Sequence, residues 1–197
     1  FIKLSYQDIN IRIKEIKDLK KYFNSAKGFN QLSDLKNSLI ASGYPENTVQ
    51  LEIDFFLELF DHNTIQNLLF NPTAGLHVHQ DNTNFRQKIK INQEFGLIRS
   101  SIGKVFIVGS SNTLLPVLTS MFLSYIAGNN TVVQLSSLHT NCIPNFIENL
   151  PFDGVNHIHF TNLYREKEED LLIIEALITQ INWNVINVWG GNESLDF

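Results

Sequence analysis

Apolar residues recur at helical spacing along the first part of the chain. Ile9, Ile13, Ile16 and Tyr22 fall on one side, and Lys14, Lys17, Lys20 and Lys21 on the other. The pattern predicts an amphipathic helix over 4–23, capped by Ser5 and carrying Asp8 in its first turn. Gly28 interrupts it. A shorter helix is expected over 32–42, stopped by Gly43. A third follows, with Pro45 in its first turn and Val49, Ile53, Phe56, Leu57 and Phe60 along it. Phe55, Phe56 and Phe60 read as core. Residues 64–70 add one or two helical turns, 71–75 a loop and Leu76 to Gln80 a short strand. Residues 88–100 hold an extended piece leading to Ile102.

From Ile102 to Ser137 the pattern changes. The apolar run Val105 to Val108 does not alternate, which is how strands buried on both faces read. The polar turn Gly109-Ser110-Ser111-Asn112-Thr113 follows. Leu114 opens an apolar segment too long for a strand, and Gly128 stops it. A second buried run, Thr131 to Leu135, ends at Ser136 and Ser137. Strand, turn, helix and strand make a βαβ unit, and ligands of such sheets bind where the strand gives way to the helix.

The alternation continues to the end. A helix is expected over 141–150, with Pro144 in its first turn, and a turn over 151–154. Val155 to Thr161 alternates as a strand that would place His157 and His159 on one face. A helix is expected over 171–181 behind the acidic first turn of REKEED, and a buried strand from Val185 to Trp189 closed by Gly190-Gly191. The order from Val105 is β-α-β-α-β-α-β, joined by short connections. The fold class is therefore α/β, a Rossmann-like parallel sheet preceded by an N-terminal helical layer. Residues 1–70 form that layer. Residues 71–197 form the nucleotide-binding region, incomplete at its C-terminus, and the two make one structural domain.

Composition narrows the class. A 197-residue chain that is 43% hydrophobic and 18% charged suits a soluble globular domain. A net charge of −5 without a basic run gives no footprint for nucleic acid. The longest apolar stretch, Leu114 to Ala127, is too short for a membrane span. One cysteine, Cys142, excludes an internal disulfide and fits a reducing, cytoplasmic setting. His77 and His79 form a second pair like His157 and His159. Neither pair has a third ligand nearby, so no metal site is expected.

The stretch from Gly103 onward resembles the nucleotide-binding half of the aldehyde dehydrogenase superfamily, and within it the acyl-CoA reductases of the LuxC type. The resemblance is carried by Gly103 at the strand start, Asn112 in the turn and Gly128-Asn129 after the helix. Val132-Val133-Gln134-Leu135-Ser136 at the next strand and Val188-Trp189-Gly190-Gly191-Asn192-Glu193 also match. The usual G-x-G-x-x-G fingerprint is absent.

The resemblance implies a fatty acyl-CoA or other acyl-thioester substrate, reduced to an aldehyde with NADPH, or with NADH. Asn112 would offer its amide N–H to the oxyanion; as a residue alone it equally caps the following helix. Ser110 and Ser111 line the same turn. Gln134, Ser136 and Ser137 stand where the family meets the adenosine ribose. A lysine is usual at the position of Gln134 and an acid at that of Ser137, and a serine there leaves room for a 2′-phosphate. A polar strand end with a helix cap accounts for these residues as well. Gly190, Gly191 and Asn192 would approach the pyrophosphate, or simply form a tight turn. The family's catalytic cysteine lies in a later domain, so Cys142 is read as structural. The chain is then the N-terminal cofactor-binding part of such an enzyme, and a homo-oligomer is compatible with it. Two other readings stand beside it: a non-catalytic nucleotide-binding or interaction module, and a helical protein that docks a partner through residues 1–70.

Overall fold

A computed structural model describes residues 6–61, 89–91, 95–97, 102–161, 163–164 and 167–190. Helices α1 (Tyr6–Phe23), α2 (Ala26–Ala41) and α3 (Glu46–Glu58) come first. A small antiparallel pair follows, β1 (Ile89–Ile91) with β2 (Phe95–Leu97). The main unit is β3 (Lys104–Val108), α4 (Leu115–Ile126), β4 (Asn130–Gln134), α5 (Cys142–Glu148), β5 (Ile158–Thr161), α6 (Glu168–Gln180) and β6 (Val185–Val188). The predicted segments 64–70 and 76–80, with His77 and His79, lie outside the described residues.

The four later strands are all parallel, in the order β5-β4-β3-β6. Right-handed crossovers put α4 and α5 on one face and α6 on the other, because the connection into β6 runs back past β3. The side chains agree with this. Val105, Ile107 and Val133 join the cluster that contains α4 and α5, while Phe106 turns away and packs on Trp183 with ring centroids 5.0 Å apart. α4 ends as expected: Gly128 takes a φ of 87°, a left-handed conformation that glycine adopts without strain.

Helices α1–α3 form a second layer on α4 and α5. Phe23, Phe56, Phe60, Phe122, Phe146 and Phe152 interlock across this junction, with centroids 4.9–6.1 Å apart. α1 is further pinned by the buried Arg12. Its guanidinium donates to the Tyr125 carbonyl at 2.6 Å and lies 4.5 Å over the Tyr125 ring. The Tyr125 hydroxyl donates to Glu15. One continuous apolar cluster runs from Ile13 to Ile158.

Four expectations are corrected. The run Val185 to Trp189, expected to be buried, forms an edge strand with Ile186 and Trp189 exposed. Gly28 lies inside α2, which starts at Ala26 behind a Ser25 cap rather than at 32. A Cβ on Gly28 would stand 2.1 Å from the Tyr22 carbonyl oxygen, so glycine is there for the close approach of α2 to the end of α1. Phe55 is exposed; successive helical residues point about 100° apart, and Phe56 takes the inward direction. Residues 153–157 form a 3₁₀ turn rather than the start of the strand. His157 therefore leaves the face of His159 and binds Asn130 Oδ1 at 3.0 Å. Burial and the Arg12 charge nearby lower its pKa.

Candidate functional site

In a sheet of this order the chain leaves β3 in one direction and enters β6 on the other side, so a crevice opens beyond the ends of these two strands. The loop Gly109–Thr113 and the turn at Trp189-Gly190 meet there. The Trp189 amide donates to the Val108 carbonyl at 2.8 Å, and the Trp189 indole donates to Ser120 Oγ at 3.0 Å. Two stretches 80 residues apart in the sequence are thus neighbours at the switch point. Gly191 and Asn192 lie outside the described residues.

The loop is built from its own hydroxyls. Ser110 Oγ, largely buried, accepts from the Asn112 amide at 3.0 Å. Ser111 Oγ donates to Asn112 Oδ1 at 3.1 Å. This bond uses the carboxamide oxygen of Asn112. Its Nδ2 group has no partner among the described residues, and the side chain is exposed. Asn112 does not cap α4. The residue before that helix is Leu114, and its amide donates to Glu52 Oε2 at 2.8 Å. A carboxylate carried in from α3 sits where the α4 N-terminus attracts negative charge.

Gln134 is placed differently from Asn112. It is 2% exposed, and both ends of its carboxamide are engaged. Nε2 donates to the Leu163 carbonyl at 2.7 Å, and Oε1 accepts from Thr161 Oγ1 at 3.2 Å. These bonds staple the end of β4 to the end of β5. Ser136 is half-buried and hydrogen-bonded to His139. Ser137 is exposed and faces a groove between α2 and α5.

A buried polar chain joins these loops. His139 Nε2 lies 2.7 Å from the Tyr44 hydroxyl, and its Nδ1 lies 3.1 Å from Ser136 Oγ. The Tyr44 hydroxyl donates to the Ser111 carbonyl. A phenol has one proton. With that proton on Ser111, the imidazole must donate from Nε2 and accept at Nδ1 from the Ser136 hydroxyl. Burial lowers the His139 pKa to about 4 and raises that of Tyr44 to about 12, so both are neutral near pH 7. Sequence reading missed Tyr44, His139 and Glu52. His139 stands three residues from Ser136, and that spacing was a signal. Tyr44 and Glu52 are brought in by α2 and α3 and left none.

Cys142 is half-buried, directed at the His139 carbonyl at 3.6 Å, and burial raises its thiol pKa. It is the first residue of α5. No three histidine, cysteine or acidic side chains among the described residues are grouped to hold a metal ion. No described helix is long and apolar enough to cross a membrane. Compared with protein-family models and with the sequences of curated proteins, the chain matches none.

Proposed function

We propose that this chain is the N-terminal cofactor-binding part of an NAD(P)H-dependent reductase of fatty acyl thioesters. One observation carries the reading: the Nδ2 group of Asn112 at the switch-point crevice has no partner among the described residues, while its carboxamide oxygen is held by Ser111. A thioester carbonyl placed there would meet an N–H donor as its oxygen gains charge, a contact worth on the order of 3 kcal/mol in such sites. NADPH, or NADH, would supply the hydride when bound.

The residues at the crevice suit a dinucleotide on the β6 side. Gly190 is exposed and has no side chain to block the approach of a pyrophosphate. On the β3 side the Glu52 carboxylate already occupies the α4 N-terminus and would repel phosphate. Cofactor phosphates are therefore assigned to the turn after β6, and Ser136 and Ser137 to the ribose end. The acyl-accepting cysteine would come from outside this chain.

A second reading, a non-catalytic module on the same sheet, is favoured by Gln134, whose carboxamide is engaged inside the fold and not presented to a ribose. Calorimetry with NADPH and NADH on wild type, Gly190→Val and Asn112→Ala separates a cofactor-binding chain from an interaction module. The reductase reading expects NADPH binding that Gly190→Val abolishes and Asn112→Ala leaves intact. Absence of binding by either nucleotide overturns it in favour of the module.

A further inference from the structure

The ends of β3 and β4 are joined by a hydrogen-bond chain whose proton order is fixed. A carbonyl oxygen only accepts, so the single Tyr44 proton goes to Ser111. Nε2 of His139, 2.7 Å from the Tyr44 hydroxyl, must then be the N–H of the neutral ring. Its Nδ1 is left with a lone pair and takes the proton of Ser136, whose Oγ lies 3.1 Å away. Every bond therefore points the same way, from Ser136 through His139 and Tyr44 to Ser111.

The middle of the chain is sealed and its ends are open. His139 has no exposed surface and Tyr44 is 9% exposed, whereas Ser136 is half-buried and Ser111 exposed. Among the described residues Ser136 Oγ has no other partner. A hydroxyl has one proton and two lone pairs. With its proton on His139, Ser136 shows an incoming group lone pairs only. A ligand hydroxyl can donate to them and leave the chain as it stands. An ionised phosphate oxygen has no proton to give, so it binds Ser136 only if the Ser136 proton turns outward.

That turn reverses every link. Nδ1 then faces a lone pair on Ser136, and the imidazole removes the conflict by releasing its Nε2 proton to water and taking one at Nδ1. The ring stays neutral and the proton count of the chain is unchanged. Nε2 now needs a donor, and Tyr44 is the one within reach, so the phenol proton leaves the Ser111 carbonyl. Ser111 is exposed, so water replaces it there. The chain thus has two complete arrangements that differ by one internal bond, and that bond is the tie between Tyr44 and the Asn112 loop. A ligand that favours one arrangement shifts the balance between them.

We propose that this chain is a switch that reports the hydrogen-bonding character of the group at Ser136 to the Asn112 loop: a hydroxyl donor leaves the loop braced, and an ionised phosphate releases it. On the cofactor reading, on which the identity of that group rests, the ribose end lies at Ser136, where NADPH carries a 2′-phosphate and NADH a 2′-hydroxyl. Nitrogen NMR of the imidazole distinguishes the two tautomers, and the His139 signals are those lost in His139→Gln. Expected are an Nε2–H ring in the free protein and with NADH, and an Nδ1–H ring with NADPH. Amide exchange at Asn112 and Thr113 should quicken about fivefold with NADPH only, the equivalent of one net hydrogen bond. Coupling is reciprocal. Tyr44→Phe has no Ser111 bond to lose, so its affinity for NADPH relative to NADH should rise about fivefold over wild type. Ser136 is untouched in that variant, and a merely structural Tyr44 would change both affinities alike. An Nδ1–H ring in the free protein overturns the switch. So does NADPH binding that leaves the tautomer and the affinity ratio unchanged, and the cofactor reading then stands. Binding of neither nucleotide overturns the cofactor reading and the switch together.

Discussion

The Tyr44 hydroxyl lies 2.7 Å from Nε2 of His139 and donates its proton to the Ser111 carbonyl. One phenol from the α2–α3 connection therefore ties the end of β3 to the end of β4. Together with Glu52 on the Leu114 amide, it makes the helical layer a brace for the Asn112 loop.

Tyr44→Phe keeps the ring and removes the hydroxyl. The buried His139 N–H and the Ser111 carbonyl both lose a partner, and the cost expected is about 1–3 kcal/mol. Urea unfolding measures it. Amide exchange at Asn112 and Thr113 should quicken in the same variant, and a loop braced by other contacts would show no change.

His139 makes stability depend on pH. Its folded pKa, about 4, lies below the ordinary value of 6.5. The neutral form is the one that folds, so the full contribution is present above pH 6.5 and is lost as pH falls from there toward 4. The loss reaches roughly 3 kcal/mol at most. Urea midpoints from pH 7.5 to 4.5 should fall more steeply for wild type than for His139→Gln. Parallel curves would show that the imidazole titrates freely.

Gly28→Ala reverses the usual helix rule. In an open helix alanine is better than glycine by about 1 kcal/mol. Here the added Cβ would meet the Tyr22 carbonyl oxygen at 2.1 Å, with backbone rather than a flexible side chain in the way. The clash should win and cost about 1–3 kcal/mol net. A raised melting temperature would mean that α2 does not approach α1 so closely.

Glu52 and Asn112 separate two candidate caps of α4. Glu52→Ala removes the acceptor of the Leu114 amide and should cost about 1 kcal/mol. Asn112→Ala, at an exposed loop position that caps nothing, should stay within about 0.5 kcal/mol. Thermal unfolding of both variants checks the order, and a larger loss for Asn112→Ala would return the capping role to it.

Elements whose cause is local are legible from the residues alone. The unbroken apolar run at 105–108 reads as a strand buried on both faces, and Gly128 ends α4 because glycine tolerates the left-handed turn. Short connections then required parallel pairing. The shape of the candidate loop depended on tertiary structure. Tyr44 lies 95 residues from His139, and Glu52 lies 62 from Leu114. No periodicity relates such pairs; they meet because the phenylalanine cluster docks α1–α3 on α4 and α5. The same docking decided Gly28, where the missing side chain leaves room for a neighbouring helix. It also brought a carboxylate from α3 to the start of α4, so the cap there does not come from Asn112.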